Sequence, residues 1–220
     1  MLLIMDTILI LIAFALVLYF TINTVTTYNE TLYIESDLDK RQYIIRRGNA
    51  KGDVYLKESA NTLAEINKRV VKLVDHLKVK YERDYSKNYF IKKLSENYNS
   101  YILSEGAVDD RYTTYTIDKK DMHICLRTRD RVENVYDINL LMYVILHELA
   151  HLCNYDKNGI AIQGHGEEFR QIFKLLVIEA IRLNIYSYID YSETPQEYCG
   201  IVISTTILPK FEYNFHINEN

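Results

Sequence analysis

Apolar and polar positions along this chain follow helical spacing in several long stretches. Apolar residues recur every three or four positions from Leu63 to Leu77, which predicts a long helix over residues 60–80. Thr62-Leu63-Ala64-Glu65 has the form of a capping box and places the start of that helix. A less regular pattern predicts a second helix over residues 87–103.

Two further helical patterns flank a polar loop. An almost wholly apolar run predicts a buried helix that begins after Asp137, because aspartate commonly caps helix N-termini. Residues 167–185 show apolar spacing of a last helix, with two glutamates in its first turn. The segment 154–159 between them is rich in turn-forming residues, so the chain can double back there.

Two short stretches have the character of strands. Residues 112–117 are mostly β-branched or aromatic, and Met122–Arg127 alternates apolar and polar residues. The turn-forming residues 118–121 separate them. Helices combined with a small sheet of such strands predict an α+β fold.

The N-terminal segment differs in composition from the rest. No charged residue occurs from Thr7 to Asn29, and Ile8–Phe20 is continuously apolar. A membrane-spanning helix needs about 20 such residues, so the pattern predicts a single-pass transmembrane anchor over 1–29 and a juxtamembrane linker over 30–52. A signal peptide is disfavoured because no basic residue precedes the apolar core. A buried N-terminal core helix is the alternative.

Charge is distributed unevenly around a net charge of −4. Residues 1–39 contain no Lys or Arg, and residues 40–131 contain 21 against 13 Asp or Glu. Basic residues after the span predict a membrane protein whose folded domain lies on the cytoplasmic side, although the sequon at Asn29 points the other way. The basic stretch could contact anionic lipid or nucleic acid, but an ordinary solvated surface is favoured.

The three cysteines are too few and too scattered to indicate a disulfide framework. They are Cys125, Cys153 and Cys199. Their scarcity suits a reducing compartment. Cys153 lies in the apolar helix and is interpreted as a small buried residue.

The apolar helix after Asp137 carries an H-E-x-x-H motif formed by His147, Glu148 and His151. Residues four apart lie on one face of a helix, so the two imidazoles can bind one Zn²⁺. Glu148 would then lie beside the metal and could take a proton from a zinc-bound water. An incidental charge pair is the alternative, but buried polar groups require partners and a metal supplies one.

A catalytic zinc needs a third protein ligand. His165 is the preferred residue, because it lies at the entry to the next helix between Gly164 and Gly166. Glutamates on that helix are the alternatives, and the residues concerned are Glu168 and Glu179.

The motif, its turn-rich spacer and the sequence GHGEEFRQIFKLL resemble the SprT-like and Wss1-like (WLM) zinc metallopeptidases, in a form like those encoded by large DNA viruses. The resemblance covers about residues 54–186. It implies a small zincin-like metallopeptidase domain over 53–190, with residues 191–220 as a C-terminal extension packed on it. It also implies that Met122–Arg127 is an edge strand that pairs with an extended substrate.

The resemblance implies that His147, His151 and His165 bind zinc and that Glu148 is the catalytic base. The expected function is therefore a membrane-anchored metallopeptidase acting on a protein or peptide substrate. Possible oxyanion donors are Tyr186, Tyr188, Tyr191, Tyr198, Arg170 and Arg182. The alternative is a membrane-tethered structural or interaction module, binding protein or nucleic acid, with a non-catalytic zinc site that Cys153 or Glu168 would close. Substrate and oligomeric state stay open.

Overall fold

The structure is a computed structural model that describes residues 2–48, 53–106, 114–117 and 121–218. Within these ranges the chain forms an α+β fold, in agreement with that part of the prediction. The helices are α1 (Leu2–Glu30), α2 (Asp53–Lys80), α3 (Tyr85–Asn97), α4 (Ile138–Cys153), α5 (Glu167–Arg182) and α6 (Lys210–Tyr213), followed by a π-helix (Asn214–Asn218). The strands are β1 (Thr31–Glu35), β2 (Gln42–Arg46), β3 (Leu103–Glu105), β4 (Tyr115–Ile117), β5 (Asp121–Ile124), β6 (Gln196–Tyr198) and β7 (Ile201–Ile203).

Helices α2 to α5 surround the hydrophobic core. α4 packs against α3 and α5, and α2 contacts all three of these helices. α4 is buried along most of its length because its residues are apolar nearly all round. Its predicted cap is confirmed, since the Asp137 carboxylate accepts hydrogen bonds from the backbone N–H groups of Asn139 and Leu140.

The two helices before the sheet differ from their predicted bounds. α2 begins at Asp53, so the predicted capping box lies inside the helix. There the Thr62 hydroxyl donates to the Glu58 carbonyl one turn earlier instead of capping an N-terminus. α3 spans Tyr85–Asn97 and so ends six residues before the predicted end at 103, and β3 begins at Leu103.

The central sheet has the strand order β3-β5-β4. β5 pairs in parallel with β3 and antiparallel with β4. The prediction that Met122–Arg127 forms an edge strand is therefore wrong, because β5 has a hydrogen-bonded neighbour on each side. Residues 112–113 of the predicted first strand and 118–120 of the predicted turn lie outside the described residues.

Two hairpins lie outside the central sheet. β1 and β2 pair antiparallel within the segment predicted as a linker, and Tyr43 and Ile45 of β2 are buried in the core. β6 and β7 form the second hairpin. Its two connecting residues, Cys199 and Gly200, have φ of 53° and 85°, as the left-handed backbone of a two-residue hairpin turn requires. The domain boundaries at residues 29, 52 and 190 stay predictions.

A disulfide joins the second hairpin to the sheet. It links Cys125, directly after β5, with Cys199 in the hairpin turn. The sequence indicates no disulfide framework, and it does not predict this single bond. Cys153 is buried, as predicted.

Four charged side chains are buried together beside the β2 and β3 strands. The Arg127 guanidinium donates to Glu105 at 2.7 Å and to Glu133 at 3.4 Å, and Arg46 donates to Glu133 at 3.0 Å. All four residues are less than a tenth exposed. Two cations and two carboxylates compensate one another, which allows these charges to remain away from water.

The N-terminal helix α1 does not support the predicted anchor. Its described side chains, residues 8–22, are exposed and mostly apolar. Among the described residues no helix is long and apolar enough to cross a membrane. The predicted transmembrane anchor, and with it the single-pass location with a cytoplasmic catalytic domain, is wrong on this finding.

Candidate metal centre

Three histidines meet where α4, the following loop and α5 come together. His147 and His151 lie one turn apart on α4, and His165 lies two residues before the start of α5. The loop is shaped by Asp156, whose carboxylate accepts from the backbone N–H groups of Asn158 and Ile160. The chain therefore doubles back as the turn-forming residues predicted.

The three imidazoles converge through the same ring nitrogen. The Nε2 atoms of His147 and His151 are 3.2 Å apart, and His165 Nε2 is 3.0 Å from each of them. Three nitrogens bound to one tetrahedral Zn²⁺ are about 3.3 Å apart. The spacing therefore fits a single small ion facing all three rings.

An aromatic side chain supports the three rings from beneath. The buried Phe169 ring lies 4.9, 4.3 and 4.8 Å from the ring centroids of His147, His151 and His165. Phe169 lies in the first turn of α5. This helix directly follows His165, and its Phe169 ring packs against the His165 imidazole and positions it. In the sequence, Phe169 belongs to the apolar pattern of this helix and to the GHGEEF segment of the family resemblance, but neither predicts its contact with the three rings.

Burial keeps the innermost histidine neutral. Loss of solvent, together with the nearby His151 and His165, lowers the pKa of His147 to about 3. A neutral imidazole offers a lone pair, which is the form that binds metal ions.

Glu148 lies beside this cluster but is directed toward β4. Its carboxylate accepts a hydrogen bond from the Thr116 hydroxyl at 2.9 Å. Burial raises the pKa of Glu148 to about 7. Among the described residues, the group that could hold a metal ion consists of His147, His151 and His165, without this glutamate.

The alternative third ligands lie elsewhere. Glu168 is exposed outside the cluster. Glu179 is fully buried toward α2, where Lys80 and Tyr81 donate to its carboxylate. The Cys153 thiol donates to the Leu149 carbonyl within α4. The structure thus brings the three predicted histidines together, and zinc binding itself stays a prediction.

The proposed oxyanion donors are dispersed. Tyr198 faces the cavity, whereas Tyr186 and Tyr191 pack around Tyr143 in the core. Tyr188 stacks on Tyr213 near the C-terminus. Arg170 is exposed, and Arg182 donates to Glu179.

A cavity of about 880 Å³ opens in front of the histidines. One wall is β4 with the residue before it, through Thr116 and Thr114, and another is the C-terminal segment from Tyr198 to Thr205. The sequence predicts the strand over residues 112–117 and indicates Tyr198 as a possible oxyanion donor, but it does not place β4 or residues 201–205 beside the histidines, because neither segment carries a metal-binding motif. The C-terminal wall is joined to the sheet only through contacts distant in sequence.

Comparison with known proteins defines a class of viral structural protein. Residues 45–187, about two thirds of the chain, match the family described as Phycodnaviridae minor capsid protein P4. The chain belongs to this family. The match spans the sequence from β2 to the end of α5 and includes all three histidines.

Several viral proteins are similar to this chain. Uncharacterized protein R325 of Acanthamoeba polyphaga mimivirus is 36% identical over 183 residues, which cover 83% of this chain and 87% of that protein. Minor capsid protein P4 of Paramecium bursaria Chlorella virus 1 is 31% identical over 120 residues, 53% of this chain and 63% of that protein. Uncharacterized protein 136R of Invertebrate iridescent virus 6 is 34% identical over 90 residues, 40% and 47% respectively. No solved structure matches.

These matches correct the functional predictions. The chain belongs to a capsid family and not to the SprT-like or Wss1-like metallopeptidases, so the predicted zincin-like domain and the zinc metallopeptidase activity are wrong. The short H-E-x-x-H motif describes a metal-binding geometry and does not by itself specify hydrolysis. The prediction of a viral protein is supported. Membership in a capsid family indicates protein partners, and a peptide substrate has no support.

Proposed function

We propose that this chain is a structural protein of a viral capsid, where it contacts other capsid proteins in the virion. The match over residues 45–187 carries this proposal, because it includes the core helices and not only the metal motif. The similarity to a protein named minor capsid protein P4 supports the same role. This is the structural alternative of the sequence analysis, without its membrane tether.

The surface supports binding to other proteins. Several large apolar side chains are strongly exposed at separate places, including Val79 at 81%, Tyr101 at 82% and Phe211 at 72%. Contiguous exposed apolar surface commonly marks a contact with another protein, and α1 presents such a surface over residues 8–22.

Virion association tests this proposal. Particles from a culture producing the virus that encodes this chain would be purified by density gradient and washed in high salt. We expect the intact chain in the particle fraction, with chemical cross-links to other capsid proteins. Its absence from washed particles, together with its presence in the cell extract, would contradict the proposal. A known non-structural protein of the same virus serves as the control for contamination.

We further propose that His147, His151 and His165 bind one Zn²⁺ in a non-catalytic centre. The converging nitrogens, the neutral state of His147 and the Phe169 platform support this site. A bound ion would fix the exposed loop residue His165 to two positions on α4. It would thereby contribute to folding, as metal bound by native residues does.

Metal analysis of the purified full-length chain tests the zinc proposal. We expect one Zn²⁺ per chain, and we expect His165→Ala to weaken zinc affinity at least about a hundredfold. Glu168→Ala is the matched control, because that carboxylate is exposed and outside the cluster. Equal zinc affinity of the two variants would contradict the three-histidine site.

A further inference from the structure

The C-terminal wall of the histidine cavity has few anchors. Between the buried residues Tyr191 and Leu208, only Tyr198 and Cys199 are buried. The cavity-lining residues Ile201 and Val202 are 49% and 62% exposed. The Tyr143 hydroxyl holds the far end of this wall, because it donates to the Thr205 carbonyl and accepts from the Ile207 N–H. The position of the near end depends on the hairpin turn at Cys199 and Gly200.

Two kinds of bond hold that turn against the sheet. The disulfide joins Cys199 to Cys125. Thr114 connects the same parts, because its side-chain oxygen is hydrogen-bonded to the Tyr198 hydroxyl at 2.5 Å and accepts from the Cys125 backbone N–H at 3.2 Å. The covalent bond thus lies beside the β4 wall of the cavity.

A further contact reaches the turn from the segment before α4. The Tyr136 hydroxyl accepts from the backbone N–H of Cys199 at 2.7 Å and donates to Glu197 at 3.1 Å. Tyr136 is half-buried, so these hydrogen bonds can exchange with water and are individually weak. They guide the turn into place but do not fix it as a covalent bond does.

We propose that the Cys125–Cys199 disulfide is a redox latch that holds the C-terminal hairpin as a wall of the histidine cavity. Opening the latch would release residues 196–205 and widen access to the histidines, while the helical core stays folded. Because Cys125 is only half-buried, its sulfur is the accessible point of attack. This proposal depends neither on zinc binding nor on a place in the capsid.

The chemistry of opening is thiol–disulfide exchange. The thiolate of a dithiol reductant attacks the Cys125 sulfur, the bond to Cys199 breaks, and Cys199 leaves as a thiolate that takes up a proton. The second thiol of the reductant then displaces Cys125, so the reductant becomes a cyclic disulfide and both cysteines become thiols. Closing reverses these steps and requires a disulfide oxidant that accepts the two electrons.

Amide hydrogen exchange of the full-length chain tests the latch. The oxidised protein is compared with protein fully reduced by a phosphine, which takes oxygen from water and leaves two thiols. We expect exchange in residues 196–205 to accelerate by about tenfold or more, so that these residues lose most of their protection, while α4 and α5 stay strongly protected.

The control is the double variant Cys125→Ser/Cys199→Ser, in which the phosphine should change nothing. Unchanged exchange in residues 196–205 after complete reduction would overturn the proposal. Loss of protection in α4 and α5 down to the level of residues 196–205 would also overturn it, because the core would then have opened together with the hairpin. Absence of the Cys125–Cys199 linked peptide from a non-reducing digest of oxidised protein would overturn it directly.

Discussion

Two buried glutamates on neighbouring helices show how surroundings decide the charge of a residue. Glu148 on α4 accepts one hydrogen bond from a neutral hydroxyl, and burial raises its pKa to about 7. Burial also acts to raise the pKa of Glu179 on α5, but hydrogen bonds from Lys80 and His76 outweigh it and lower that pKa. Glu179 is therefore a structural anion that fastens α5 to α2.

We predict that Glu179→Gln destabilises the chain by about 2 kcal/mol, because Lys80 and Arg182 lose a charged acceptor but keep access to water. Urea unfolding near neutral pH measures this difference. Glu168→Gln on the same helix is exposed and serves as the control. A variant as stable as the parent would contradict the anchoring role.

Glu179 also makes the free energy of unfolding depend on pH. Because folding lowers the pKa of Glu179, its contribution is present above the unfolded pKa of about 4.3 and is lost as pH falls through the folded value. We predict that the stability difference between the parent and Glu179→Gln narrows below about pH 4. Urea midpoints at several pH values measure it, and a constant difference would contradict the assignment.

Among the elements, the long helices were the most predictable from sequence. α4 and α5 combine sustained apolar spacing with an aspartate cap and an acidic first turn, and these signals are local. β1, β2 and β3 were missed because strands of three to five residues carry little pattern and depend on distant partners. The start of α2 was predicted too late because Thr62 has the sequence pattern of a capping residue. Its hydroxyl instead donates to the Glu58 carbonyl in the preceding turn, inside the helix.

The meeting of the three histidines could be predicted from local sequence signals, whereas the disulfide could not. His147 and His151 are one helical turn apart, and His165 is brought back by a turn-rich loop, so their meeting could be inferred from local signals. The Cys125–Cys199 bond spans 74 residues of sequence, and no local pattern pairs these cysteines. The predicted peptidase function is wrong because the H-E-x-x-H motif and the GHGEEF segment specify a metal-binding geometry, which structural and catalytic sites can share.

The buried charged residues Arg46 in β2, Glu105 in β3, and Arg127 and Glu133 after β5 connect parts of the chain that are far apart in sequence. We predict that Arg127→Leu lowers the free energy of unfolding by about 3–5 kcal/mol, because it leaves the Glu105 and Glu133 carboxylates without their shared cation. Chemical denaturation measures the loss. Arg131→Leu is the control, since Arg131 is exposed and its replacement should change stability by less than about 0.5 kcal/mol.

At the scale of the whole molecule, the Cys125–Cys199 disulfide stabilises the fold by lowering the conformational entropy of the unfolded chain. A bond that closes a loop of 74 residues removes conformational entropy worth about 4 kcal/mol in the unfolded state, and measured values are commonly about 2–4 kcal/mol. We predict a loss of about 2–4 kcal/mol in Cys125→Ser/Cys199→Ser relative to the oxidised parent. Thermal unfolding with and without reductant measures it, and equal stability would contradict the prediction.

The same disulfide has a consequence for a chain that has been cut. The exposed Lys157 lies in the loop between α4 and α5, and therefore between the two bonded cysteines. A tryptic nick after Lys157 would leave its two pieces covalently attached, running as one band on a non-reducing gel and as two on a reducing gel. A chain nicked at this loop would thus keep its C-terminal piece in place until a reductant reached it.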